Sequence, residues 1–195
     1  MRNVDSFKEN WEFQLQYKAQ VKAILVQLAL KHPYIFFNVA AVEDATIEQD
    51  TKEATDMVVK IEGMAAIQCR TRDLETMAKS HVENKRDLTI RSHIQAQRTE
   101  LEKMREGHGD YFIYAWVVDS AKTIAEWIFV DLGKMRQTGV LDNPTGRNIP
   151  NKDGRTWFHA YSMKRLMEND CIIDHNCEHC RRYEKTADLL QPQLF

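Results

Sequence analysis

Hydrophobic positions recur at helical spacing over residues 11–31, at Phe13, Tyr17, Val21, Ile24, Leu25, Leu28 and Leu30. That spacing predicts an amphipathic helix, with Asp5 or Ser6 able to cap it and Pro33 ending it. Residues 34–42 (YIFFNVAAV) predict an apolar strand, and the acidic stretch 43–55 predicts a surface loop or short helical turn. Residues 56–61 are a short β-branched run, followed by Glu62-Gly63 and a second run over 64–72 that alternates towards its end. Two strands around a tight glycine-containing turn is the simplest reading. Because strand side chains alternate, Gln68, Arg70 and Arg72 share one face and Ile67 and Cys69 the other.

Beyond this hairpin, residues 73–86 are charged and read as a helix or long loop, and 88–93 (LTIRSH) alternate like an edge strand with Thr89, Arg91 and His93 on one face. Thr99 is the expected N-cap of a helix carrying Glu100 and Glu102 in its first turn and ending at Gly107 or Gly109. The aromatic runs 110–118 and 124–132 predict a second hairpin, and their rings read as core. Residues 143–153, rich in Asn, Gly and Pro, read as loop; 156–161 predict a last strand, and Ser162 caps a late helix. The fold class expected is mixed α/β (α+β), a central mixed β-sheet flanked by helices. The domains expected are an α/β unit over 1–165 and a C-terminal helix with a Cys/His-rich tail over 166–195.

The formal net charge of −2 gives no global attraction to nucleic acid, although basic side chains can still gather on one face. There is no apolar run of the roughly 20 residues that span a bilayer, and the first residues carry no apolar signal-peptide core. Four cysteines with no disulfide-framework spacing point to a reducing, cytoplasmic setting. Three of them stand in Cys171-x3-His175-x-Cys177-x2-Cys180, a spacing open to tetrahedral Zn2+ or to free thiols. Neither a nucleophile elbow nor a phosphate-cradling Gly-rich loop is present.

Asp56 ahead of one strand and Gln68-Cys69-Arg70 on the next resemble the core of the PD-(D/E)xK nuclease superfamily. The wider stretches TDMVV, AAIQCRTR, DLTIRSH, TELEKMREGHGDYFIYAW and NKDGRTWFHAY are similar to phage-encoded proteins with that core. The resemblance implies a restriction-endonuclease-like fold, Mg2+ or Mn2+, DNA as partner and phosphodiester hydrolysis in a host-cell cytoplasm. Asp56, Gln68 and Arg70 would be the catalytic positions; Asp56, Gln68 and Asp50 the metal ligands; and Arg72, Arg91 and Lys103 the nucleic-acid contacts. Two signature positions depart from the family pattern. Gln68 offers a neutral oxygen in place of a carboxylate, and Arg70 keeps a positive charge but is no titratable base near neutral pH. With one charge fewer, the metal shell needs a helper such as Asp50, Glu12, Glu43 or Glu100. The departures motivate an alternative: a catalytically silent nuclease-fold protein that binds nucleic acid or a protein partner, for example as an anti-defence factor. A homodimer and a small zinc-stapled interaction protein are further alternatives.

Overall fold

A computed structural model describes residues 4–33, 35, 41–44, 46, 57–61, 63–74, 87–94, 98–151 and 154–190. A long helix α1 (Val4–Lys31) leads into strands β1 (Ala41–Asp44), β2 (Met57–Ile61) and β3 (Gly63–Asp73). Next come β4 (Leu88–Ile94), helix α2 (Glu100–Arg105), and the strands β5 (Tyr111–Val118) and β6 (Thr123–Asp131). Helix α3 (Leu132–Gln137), strands β7 (Gly146–Pro150) and β8 (Thr156–Tyr161), and helix α4 (Met163–Glu168) follow. Strand β9 (Ile172–His175) and helix α5 (Glu178–Leu190) complete the order.

The strands form two sheets, so the fold is mixed α/β with a second sheet that the patterning did not separate. The larger is six-stranded, in the order β1-β2-β3-β5-β6-β9, and the smaller is β4-β8-β7. In the larger sheet β3 and β5 are parallel, pairing Gln68 with Phe112, Arg70 with Tyr114 and Arg72 with Trp116. The β1/β2, β2/β3, β5/β6 and β6/β9 pairs are antiparallel.

Each face of the large sheet has its own core, because the strands alternate. On one face Val21, Leu25 and Leu28 of α1 pack on Ala65, Ile67, Ile113 and Phe129. On the other, Phe112, Tyr114, Trp116, Ile128 and Val130 meet Leu88 and Ile90 of β4, Leu101 and Met104 of α2, and Met163 and Leu166 of α4. Helix α1 is fastened at its middle and at its C-terminal end. Tyr17 donates to Asp119 (2.9 Å) in the β5–β6 turn, and Gln20 accepts from Ile124 N (2.8 Å). At its far end Lys31 and His32 both hold Asp174 of β9 at 2.8 Å. Burial raises the Asp174 carboxyl, but the hydrogen bonds from Lys31, His32 and the His175 amide outweigh it and hold the group below the ordinary range.

Several expectations change here. The boundary at 165 falls inside α4, and residues beyond it supply β9 and the buried Cys171, Cys177 and Cys180 of the main core. Edge pairing with β6 and the apolar contacts of three thiols hold residues 171–180 against the sheet. The loop expected over 143–153 contains β7, an edge strand whose register slips between Gly146 and Ile149. Asn148 there is left-handed (φ 53°), a conformation in which asparagine is enriched. His93 does not share a face with Arg91: the bulge between them pairs Arg91 with Phe158 and His93 with Trp157, which point opposite ways. Of the strand expected over 34–42, only Ala41 and Val42 are described as strand, in β1, and Ile35 lies in a turn. The segment 75–86 lies outside the described residues.

Candidate functional site

Strand β3 carries the signature positions, and its pairing with β2 runs to Met57–Ile67. The next residues in sequence are Asp56 and Gln68. Asp56 and Asp50 themselves lie outside the described residues, as do the side chains of Glu12 on α1 and Glu43 on β1.

Gln68 is 1% exposed. Its amide nitrogen makes a long 3.5 Å contact to the His108 carbonyl, and its Oε1 finds no hydrogen-bond partner among the described residues. The wall it meets is backbone and apolar: a Cβ built on Gly109 would stand 2.7 Å from Gln68 Nε2 and 3.1 Å from Leu132 Cδ1. Gly109 has φ +76°, so glycine there serves both the turn and the close approach. The turn is clamped around it. Asp110 accepts from Ala66 N (2.8 Å), and Arg136 donates to the Met104 and Gly109 carbonyls at 3.1 and 3.3 Å.

Arg70 is turned to a structural partner. Its guanidinium donates to the Thr89 carbonyl at 3.0 Å and to Glu100 Oε2, and the same Glu100 oxygen accepts from Arg91 N at 3.1 Å. The Arg70 and Glu100 side chains are only 12% and 16% exposed. Burial pulls Arg70 below the ordinary arginine range, Glu100 opposes that, and the nearby positive charges of Arg72 and Arg91 reinforce it. Glu100 owes its place to the capping box at the start of α2. There Thr99 Oγ1 accepts from Glu102 N (3.2 Å) while Glu102 Oε2 accepts from Thr99 N (2.6 Å). The ion pair therefore bolts β3 of the large sheet to β4 and α2.

Arg72 lies one strand repeat beyond Arg70. It donates to Thr89 Oγ1 (3.1 Å), and Thr89 in turn meets the Tyr114 hydroxyl at 2.9 Å. Its guanidinium carbon sits 4.8 Å from the centre of the Phe158 ring, within cation–π range, and Arg70 sits at 5.6 Å from the same ring. Phe158 is the cross-strand partner of Arg91. The Arg70 and Arg72 guanidiniums thus gather around Thr89 and Phe158, with Arg91 on the neighbouring strand position, and Glu100 is bonded to one of these guanidiniums, that of Arg70. Arg72 Nε and Arg91 Nε find no hydrogen-bond partner among the described residues. Lys103 lies on α2, three residues after Glu100. The structure brings Arg72 and Arg91 together on neighbouring strands. Alternation along β3 located Arg72, but nothing in the sequence marked Thr89 or Phe158 as its supports.

The Cys/His segment is drawn out along β9. Cys171 lies at one end, its backbone carbonyl accepting from Asp131 N, and its thiol faces the Asn169 carbonyl (3.5 Å) and Thr138 Oγ1 (3.8 Å). Burial raises that thiol. His175 Nε2 is paired with Glu184 on α5 at 2.9 Å. Cys177 and Cys180 meet each other at the other end, where the Cys180 thiol and backbone N–H both hydrogen-bond to Cys177. Those bonds pull Cys177 below and push Cys180 above the ordinary thiol range. Strand β9 (Ile172–His175), rising about 3.3 Å per residue, lies between Cys171 and the Cys177–Cys180 pair. Among the described residues no group of three or more His, Cys, Asp or Glu side chains is placed to hold a metal, and no helix is long and apolar enough to cross a membrane. No family model matches the chain, and neither a curated protein nor a solved structure does.

Proposed function

We propose that this chain is a nucleic-acid-binding protein on a nuclease-like fold, with the signature positions Gln68 and Arg70 given to packing and not to hydrolysis. The single observation that carries the reading is the shelf formed by Arg72, Arg91, Thr89 and Phe158. It gathers more guanidinium charge than Glu100 neutralises, and it leaves two arginine Nε donors unused. A phosphate group is the ligand that this surplus positive charge would attract. Arginine suits that role because its planar fork matches phosphate geometry. The fold reading draws support from the mixed sheet, with α1 on one face and Gln68-Cys69-Arg70 on the strand beside β2.

The test is fluorescence anisotropy with single- and double-stranded oligonucleotides across a salt series. Wild type is expected to bind, and Arg72→Gln with Arg91→Gln to weaken binding evenly across sequences while reducing the salt slope by about two. Unchanged affinity and slope in the folded double variant would remove the shelf from the interface.

The hydrolytic reading rests on a different observation. Asp56 directly precedes β2 in sequence, and Gln68 directly follows the last residue of the described β2–β3 ladder. Under that reading Asp56 and Gln68, with Asp50, would hold Mg2+ or Mn2+, which would supply an activated water. Loss of cleavage in Asp56→Ala would support it.

A further inference from the structure

Cys177 stands immediately before α5 (Glu178–Leu190), at the N-cap, and Cys180 occupies the third helical position. At the N-cap a side-chain acceptor takes a backbone N–H of the first turn, and here the acceptor is the Cys177 sulfur and the donor the Cys180 amide. The Cys180 thiol donates to the same sulfur, and the side chain of Glu126 on β6 reaches it as well. Both thiols are fully buried in the core between the large sheet and the helices. Helix geometry sets their Cα atoms about 5 Å apart, inside the window that a disulfide spans. That spacing puts the two side chains next to each other on the first turn of α5, both inside the same core.

We propose that Cys177 and Cys180 are a redox-active dithiol that closes an internal disulfide when a small hydroperoxide oxidises it. This site is independent of the nucleic-acid shelf. Cys177 is the attacking sulfur, because it accepts both hydrogen bonds at the positive end of a helix. It attacks a peroxide oxygen; the O–O bond breaks, and Cys177 becomes a sulfenic acid while the leaving hydroxide takes up the thiol proton as water. The Cys180 sulfur then attacks the Cys177 sulfur. The S–S bond forms, the S–O bond breaks, and a second water departs with the Cys180 proton. Two thiols lose two electrons and two protons in total, and the peroxide gains both. Full burial confines the chemistry to a water-sized oxidant and to the partner already in contact. Cys171 sits at the opposite end of β9, so it does not compete.

The experiment uses the full chain, reduced and then exposed to one equivalent of hydrogen peroxide without denaturant. Free thiols, counted after quenching and unfolding, are expected to fall from the four in the sequence to two. Peptide mapping is expected to find Cys177 joined to Cys180. Cys180→Ser should stop at a sulfenic acid on Cys177, trapped by dimedone, and Cys177→Ser should form no internal disulfide. If either variant fails to fold, wild type equilibrated in glutathione redox buffers gives the same answer through a reversible loss of two thiols. Four thiols persisting in excess peroxide, oxidation falling on Cys69 while the pair stays reduced, or stoichiometric zinc held by Cys177 and Cys180 would each overturn the proposal.

Discussion

Arg70 on β3 and Glu100 at the start of α2 form a buried ion pair that fastens the small sheet to the large one. The pair decides how the strand beside β2 is read. A guanidinium held by the Thr89 carbonyl and by a carboxylate that itself accepts from Arg91 N is engaged in holding elements together. Removing one partner leaves an uncompensated buried charge, so Glu100→Ala is expected to cost about 3–5 kcal/mol in urea unfolding. Replacing both, as Arg70→Met with Glu100→Leu, is expected to recover most of that loss. Losses that simply add across Arg70→Met, Glu100→Leu and the double would show that the residues do not act as a pair.

Gln68 gives a sharper contrast between packing and chemistry. Its Oε1 is buried without a partner among the described residues, so Gln68→Met keeps the volume and removes an unmet acceptor. The expected result is a stability equal to wild type or about 1 kcal/mol higher, with nucleic-acid affinity unchanged. Gly109→Ala tests the same contact from the other side. Left-handed backbone and a Cβ pressed against the Gln68 amide are expected to cost about 2 kcal/mol or more. Gln68→Ala added to it should restore the part due to the clash and leave the part due to φ.

Asp87, at the entrance to β4, is 8% exposed, and burial alone raises its carboxyl to about 6 from an ordinary 3.8. Because the folded value lies above the unfolded one, its stabilising contribution is complete below about pH 4 and is lost as pH rises through about 6. Asp87→Asn should therefore stabilise the protein by about 2–3 kcal/mol at pH 7.5 and by little at pH 4. Urea midpoints at the two pH values check this; an equal effect at both would remove ionisation as the cause.

Asp174 runs the opposite way. Its carboxyl is held low by Lys31, His32 and the His175 amide, so its contribution is present above the ordinary carboxylate range and is lost as pH falls through the depressed folded value. Asp174→Asn is expected to cost about 2–3 kcal/mol at neutral pH. The gap from wild type should close in acid. A gap that persists there would assign the loss to packing.

The legible parts of the fold were those where one signal dominates its segment. The aromatic runs became β5 and β6, Thr99 and Ser162 capped α2 and α4, and the runs 57–61 and 63–72 became the paired strands β2 and β3. The elements that escaped carry weak or divided signals. Strand β7 is a polar edge with a left-handed Asn148, and β9 is a four-residue strand among cysteines and histidines. Helix α3 is six residues long and continues directly from β6, so its Asp131 cap looks like the end of a strand. The division into two sheets depends on which strands pair at long range, which alternation does not encode. The same holds at the site. Alternation put Gln68, Arg70 and Arg72 on one face, but what covers that face comes from Gly109, Thr89, Glu100 and Phe158, which are distant in sequence.

The central claim is that the signature strand serves the fold and the arginine shelf serves binding. The most direct measurement incubates wild type and Asp56→Ala with supercoiled plasmid, linear duplex and single-stranded DNA in Mg2+ or Mn2+, and follows cleavage and binding on the same samples. The account expects equal binding by both proteins and no metal-dependent cleavage by either. Cleavage that requires the metal and disappears in a folded Asp56→Ala would contradict it and establish a working hydrolytic site.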